Sequence, residues 1–237
     1  MPQDFPDILI FGCGNMGGAM LRGWLAAGVA AESFTVVDPM VSDLPKGVAL
    51  HRSAAEIDRT FDTLLLGIKP QMLASLAPEV ARLLAPGALV ISILAGAETA
   101  TLSGCFPDAR IVRLMPNLAA AIGKSPLGLF SDHVDTNERA GIDEMLSALG
   151  TPIWLDDESQ MDAVTALAGS GPAFVYRFID ALAAGGAEIG LAPQTAARLA
   201  MSMVEGATQL AATADENPAE LAARVTSPGG TTAAGLA

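Results

Sequence analysis

The feature that most constrains this chain is an apolar run, Ile8-Leu9-Ile10-Phe11, followed at once by Gly12-Cys13-Gly14-Asn15-Met16-Gly17. An apolar run, a G-x-G-x-x-G loop and then a stretch that reads as helix over 16–27 predict a strand–turn–helix unit. The first glycine permits the tight turn, the second lets backbone approach a pyrophosphate, and the third lets helix and strand pack closely. The loop alone is a weak signal. Here an acid, Asp38, also ends a second apolar run over 33–37, near the spacing that a dinucleotide-binding unit uses. A structural turn without a ligand would account for the loop, but not for strand, loop, helix and acid together. Asp38 would accept hydrogen bonds from ribose hydroxyls and repel a 2′-phosphate, and no Arg or Lys follows it until Lys46. Local physics therefore favours NAD over NADP, the competing reading being that Asp38 only caps the turn.

Further apolar runs lie at 63–68, 89–94 and 111–114, with weaker ones at 127–130 and 151–155. A helix is expected over 78–84, closed by Pro86-Gly87. Continuous apolar strands separated by helices predict a parallel sheet covered on both faces. After about Asp157 no strand-like run follows. Ser170-Gly171-Pro172 reads as a helix start with Ser170 as N-cap, the helix running to about Glu188; Pro193 opens another, to about Ala212. Asn217-Pro218-Ala219-Glu220 is close to a capping box. The expected fold is α/β: a Rossmann-type parallel-sheet domain over 1–158, then an all-helical dimerisation domain over 159–237. Phe174, Val175, Phe178, Ile179, Leu182 and Ile189 exceed what so small a helical unit can bury, which points to a subunit interface, the alternative being that these helices cover the sheet edge.

Charge and cysteine content exclude several classes. A net charge of −13 argues against nucleic acid and against an anionic membrane surface. No apolar run reaches the roughly 18–20 residues needed to span a bilayer. Cys13 and Cys105 form neither a disulfide framework nor a metal motif, and with no signal-peptide shape at the N-terminus they point to the cytoplasm.

A second glycine-rich turn, Ser227-Pro228-Gly229-Gly230-Thr231-Thr232, precedes a short helical stretch. Free backbone N–H groups and a helix dipole suit a small carboxylate there. A dinucleotide with a small acid suggests hydride transfer. Acid–base residues are scarce: His51 and His133 read as solvated loop residues, and the only lysines are Lys46, Lys69 and Lys124. Lys69 either touches cofactor or simply ends a strand. This poverty suits a cyclic imine, which can enter already protonated and then needs mainly orientation. Two alternatives stay open on the residues alone: reduction of another cyclic imino acid, and a dinucleotide-binding dimer acting as scaffold or sensor.

Along essentially its whole length the chain resembles the Δ1-pyrroline-5-carboxylate reductase family. The resemblance is carried by residues 11–17, by Gly67-Ile68-Lys69-Pro70-Gln71, by Arg113-Leu114-Met115-Pro116-Asn117, by 162–173 and by 225–232. It implies reduction of L-1-pyrroline-5-carboxylate to L-proline with NADP or NAD, in a homodimer that interleaves helices and assembles to a decamer, with substrate between the domains. By the same resemblance, Gly229, Gly230 and Thr231 hold the substrate carboxylate, Thr232 meets the ring nitrogen, and Glu158 lies close to substrate and nicotinamide. The cofactor set is Gly12, Cys13, Gly14, Asn15, Met16, Gly17, Asp38, Ala54, Ile68, Lys69, Pro70, Ala95 and Asn117, with no metal. Ala54 stands where relatives often carry Asn, Leu118-Ala119 replace Thr-Pro, and Ala222-Ala223 replace Lys-Asp. The chain ends five residues beyond Thr232, where the family continues into a further helix, so its C-terminus is expected to be cut short.

Overall fold

A computed structural model describes residues 5–236. It divides into two compact units, Met1–Gly171 and Pro172–Ala237. In the first, eight strands form one sheet: β1 (Ile8–Phe11), β2 (Phe34–Val37), β3 (Ala49–His51), β4 (Phe61–Leu66), β5 (Leu84–Ser92), β6 (Arg110–Met115), β7 (Ser125–Phe130) and β8 (Gly150–Trp154). The spatial order is β3-β2-β1-β4-β5-β6-β7-β8. Every pairing is parallel except β6 with β7.

The inner strands β1, β2 and β4 are apolar because both faces are buried, and alternate residues feed separate cores, whereas the edge strands β3 and β8 are partly exposed. Ile8 and Ile10 face one core, with Val36, Ile91 and Leu114. Helices α1 (Asn15–Ala26) and α4 (Thr136–Leu146) cover that side. Leu9 and Phe11 face the other core with Leu64, Leu66 and Val90, under α2 (Leu73–Ala81) and α3 (Thr99–Cys105). Trp24 of α1 anchors the first core: it is fully buried, stacks on Phe34 at 5.6 Å and donates from Nε1 to the Met145 carbonyl at 2.9 Å.

Several expectations need correction. Pro78 does not open a helix; it lies inside α2, which follows a short 3-10 turn at Pro70–Met72. Pro86-Gly87 does not end an element but lies within β5. The pairing with β4 jumps there from Phe61↔Leu84 to Thr63↔Leu89, so the extra residues bulge and Pro86 need not donate to the ladder. Gly87 takes the positive φ of 73° that this bulge needs. His51 belongs to β3, not to a loop. Ser170 does not cap a fresh helix. Its φ and ψ are −89° and −25°, and the backbone is already helical through α5 (Met161–Val164) and a π-turn at Thr165–Gly169. Ser170 N–H donates to the Thr165 carbonyl at 3.0 Å, the longer reach that defines the π-turn.

The second unit holds α6 (Gly171–Glu188), α7 (Pro193–Thr213), α8 (Pro218–Arg224) and α9 (Thr231–Leu236). The capping box expected at 217–220 is complete: Asn217 Oδ1 accepts from Ala219 and Glu220 N–H, and Glu220 Oε2 accepts from Asn217 N–H. Ala196, Ala200 and Val204 are the buried residues of α7, whereas Phe174, Tyr176, Phe178, Leu199 and Met201 are exposed. Among the described residues no helix is long and apolar enough to cross a membrane.

Gly23 tests the packing of α1. A Cβ there would lie 2.1 Å from the Ala120 carbonyl oxygen and 2.7 Å from Leu149 Cδ2. Helix propensity alone would gain about 1 kcal/mol for alanine. Overpacking against backbone costs about 1–3 kcal/mol or more, so Gly23→Ala is expected to be net destabilising, read as a lower urea midpoint.

Candidate active site

Strands β1 to β6 run parallel and deliver their carboxyl ends to one rim, where loops of open α/β sheets bind ligands. The glycine loop leaves β1 there. Gly12 has φ +90°, and a Cβ on it would lie 2.7 Å from Gly67 C and O. A Cβ on Gly17 would lie 2.7 Å from the Gly12 carbonyl oxygen, whereas one on Gly14 would meet nothing within 4 Å. First and third glycines are thus packing positions, and the second faces open space.

The N-terminus of α1 is built for an anion. Its first-turn bond runs from Gly18 N–H to Gly14 O at 2.8 Å, so the N–H groups of Asn15, Met16 and Gly17 lie before the ladder begins. No side chain caps them and no acid lies in the first turn. A pyrophosphate would supply the missing acceptors, and the residues present fit it. Beside this terminus runs a cleft of about 380 Å³, walled by Gly12, Gly14, Asp38, Ala54, Ile68 and Lys69, among others. The structure therefore brings these six sequence-derived residues around one cavity. Cys13 and Asn15 line a second cavity, which shares Gly14 with the first. Pro70 opens the 3-10 turn after Lys69, and Ala95 is exposed beyond the end of β5.

Asp38 is nearly buried, and its carboxylate is engaged by backbone. Oδ2 accepts from Cys13 N–H at 2.8 Å; Oδ1 accepts from Met40 and Val41 N–H at 2.8 and 3.2 Å. The acid thus ties the glycine loop to the turn after β2, and the Cys13 N–H is not free for phosphate. Burial first, then the Asp38 charge, push the Cys13 thiol up to about 11.

A second cluster sits at the β5–β6 side of the rim. Glu158 Oε1 accepts from Thr99 N–H, Thr99 Oγ1 and Arg113 Nη1, each at 2.7 Å. The Arg113 side chain is 6% exposed and that of Glu158 27%. Burial alone would raise the Glu158 carboxyl, but the Thr99 N–H, the Arg113 guanidinium and the Thr99 hydroxyl outweigh it and hold it below its usual value. Glu158 is therefore a carboxylate at neutral pH and fixes the first turn of α3 to β6. Sequence reading missed Arg113 as its partner, although a cation inside Ile111-Val112-Arg113-Leu114-Met115 has to find a counter-charge when the strand is buried. Asn117 is also internally committed: Oδ1 accepts from Ala119 N–H at 2.9 Å and Nδ2 donates to the Ala168 carbonyl at 3.0 Å. That carbonyl precedes Pro172 by one helical turn, and proline has no N–H to offer it.

In the second unit, Gly230 N–H donates to the Ser227 carbonyl at 3.0 Å, closing the turn, and the first bond of α9 runs from Ala234 N–H to Gly230 O at 3.2 Å. A Cβ on Gly230 would lie 2.5 Å from Ser227 Oγ. The backbone donors ahead of this ladder are those of Thr231, Thr232 and Ala233 rather than Gly230.

Comparison with known proteins gives a consistent picture. Residues 158–237 match the family profile described as pyrroline-5-carboxylate reductase dimerisation, and residues 7–96 match one described as NADP oxidoreductase, coenzyme F420-dependent. Pyrroline-5-carboxylate reductase of Pseudomonas aeruginosa is 37% identical over 238 residues, covering 98% of this chain and 87% of that protein. That of Methanosarcina acetivorans is 37% identical over 234 residues, covering 95% and 86%. The crystal structure of Plasmodium falciparum pyrroline carboxylate reductase with NADP bound superposes with a TM-score of 0.86 at 26% identity, covering 98% of this chain and 88% of that one. The Coxiella burnetii pyrroline-5-carboxylate reductase structure gives 0.86 at 29% identity, covering 98% and 89%.

Glu158→Ala would strand the buried Arg113 guanidinium and is expected to cost about 3 kcal/mol, read by urea unfolding at pH 7. Glu158→Gln, which keeps an acceptor oxygen, costs less. Because the folded-state carboxyl is held low, the wild-type advantage over the Gln variant is full above the unfolded value near about 4.3 and shrinks as pH falls through the lower folded value.

Proposed function

The chain belongs to the pyrroline-5-carboxylate reductase family, and from that membership we propose how its own residues reduce L-1-pyrroline-5-carboxylate to L-proline with NADH or NADPH. The observation that carries the reading is the uncapped, acid-free start of α1 opening on a cleft at the carboxyl rim of the sheet. When bound, a reduced nicotinamide supplies hydride to the imine carbon. The Asn15, Met16 and Gly17 N–H groups take the pyrophosphate, helped by the dipole of a 12-residue helix. Ile68, Lys69, Pro70, Ala95 and Asn117 wall the dinucleotide.

On the substrate side, the turn at Gly229 and Gly230 presents backbone donors of Thr231 and its successors to the carboxylate. Thr232 directs its hydroxyl to the ring nitrogen. Glu158, ionised at neutral pH with its charge partly offset by Arg113, turns its remaining acceptor oxygen to the iminium and does not deliver a proton. Arg113 and Thr99 set its orientation, leaving Oε2 outside the three bonds that hold Oε1. Little proton chemistry is asked of the protein, which agrees with the absence of lysine after Lys124.

The chain oligomerises through its dimerisation segment, 158–237. A homodimer, assembling further to a decamer, accounts for the exposed apolar side chains of α6 and α7. The cytoplasm as its compartment rests on two unpaired cysteines, Cys13 and Cys105.

Two outcomes are expected. Thr232→Val lowers kcat/KM for pyrroline-5-carboxylate by about 10- to 100-fold, the worth of a hydrogen bond to a charged group, while the KM for the dinucleotide stays close to wild type; unchanged turnover would remove Thr232 from the mechanism. Phe178→Asp, at an α6 position 55% exposed in the single chain, shifts the protein toward monomer in light scattering.

A further inference from the structure

We propose that Arg52, with the Ser53 hydroxyl beside it, is the cofactor-specificity residue of this chain and binds the 2′-phosphate of NADP(H). The inference rests on the dinucleotide reading of the cleft and reverses the preference for NAD expected from Asp38.

The argument begins with register. β3 runs parallel to β2 with Val37 opposite His51, so the residues that follow each strand, Asp38 and Arg52, emerge side by side. Asp38 N–H donates to the His51 carbonyl at 3.1 Å and fixes that neighbourhood. Arg52 Nη1 donates to the Asp38 carbonyl at 3.3 Å and to the Val41 carbonyl. Those contacts pin one nitrogen of the guanidinium to the turn after β2. Among the described residues nothing accepts from Nη2 or Nε, and no carboxylate pairs with Arg52. The nearby acid, Glu56, accepts from the Arg52 backbone N–H rather than from its side chain. Ser53 Oγ accepts from Ala55 N–H at 3.1 Å, which leaves its O–H free to donate.

Arg52 and Ser53 line the same cleft as Gly14, Asp38, Met40 and Ile68. Lys69 and Glu79 line it too and offset one another in formal charge. Asp38, the group that would repel a phosphate, already accepts three backbone N–H bonds, so its charge is largely answered from within the protein. A guanidinium held by one nitrogen, with its remaining donors free, matches the planar, bidentate recognition of phosphate for which arginine is suited. In Rossmann units an arginine near the end of the second strand is a known way to accept a 2′-phosphate. Here the sequence hides it, because the arginine arrives from β3 rather than from the residues following Asp38.

The test is equilibrium binding by calorimetry of NADP⁺ and NAD⁺ to wild type, Arg52→Gln and Arg52→Lys, together with kcat/KM for NADPH and NADH. Wild type is expected to bind NADP⁺ more tightly than NAD⁺. Arg52→Gln weakens NADP⁺ by about 10- to 100-fold and NAD⁺ by less than about 3-fold, and Arg52→Lys restores part of the loss. The NADPH/NADH ratio of kcat/KM falls in step. Equal weakening of both dinucleotides would mean that Arg52 only holds the turn, and would overturn the assignment. So would unchanged NADP⁺ binding, or a wild type that prefers NAD⁺. If wild type binds neither dinucleotide, the reading of the cleft itself falls; if NAD⁺ binds normally and only the dependence on Arg52 is missing, the cleft stands and the assignment alone is lost.

Discussion

Three stretches of bare backbone meet at the rim of this sheet, and the rest of the site is hung on that meeting. Gly12 turns out of β1 against Gly67 at the end of β4, and Gly17 of α1 closes on the Gly12 carbonyl. Hydrogen bonds stitch the seam: Gly12 N–H to Val37 O and Gly67 N–H to Phe11 O, both at 2.9 Å. A methyl group at any of the three would push strand, loop and helix apart, because the obstacle is backbone and not the far end of a flexible side chain. The direction of α1, and so the aim of its unbonded N–H groups, follows from how closely these chains approach.

Around that seam the polar groups serve geometry first and chemistry second. The Asp38 carboxylate joins loop to turn; Glu158 joins α3 to β6; Asn117 ties the end of β6 to the π-turn at Thr165–Gly169. Among the described residues no buried side-chain nitrogen or oxygen lacks a partner. Such a rim is stiff, which suits a reaction whose main requirement is that two carbon atoms be held at the right separation.

The fold was legible because continuous apolar strands and a glycine loop leave few architectures open. Ile8–Phe11 and its loop form the strand–turn–helix unit expected of them, and Asn217 with Glu220 announced a helix start that the structure reproduces bond for bond. Prolines misled where tertiary context overrode their local meaning. Pro78 was tolerated inside a helix and Pro86 inside a strand, the latter at a bulge that only the β4 pairing reveals. Ser170 resembled a cap because Gly and Pro follow it, but a π-turn cannot be seen in residue types. The partners of charged residues were the least readable: Arg113 meets Glu158 across 45 positions, and Arg52 meets Asp38 across 14. Such pairs depend on strand order, which no local pattern encodes. The antiparallel entry of β7 was invisible for the same reason.

One consequence follows from the thiol inside the nucleotide loop. A cysteine at a helix start would ordinarily be acidified and reactive. At Cys13 the burial and the adjoining Asp38 charge reverse that tendency, pushing the thiol up to about 11 and keeping it protonated at neutral pH. Peroxides and alkylating agents attack the ionised form, so burial first, and the carboxylate that ties this loop second, keep the thiol in its unreactive state.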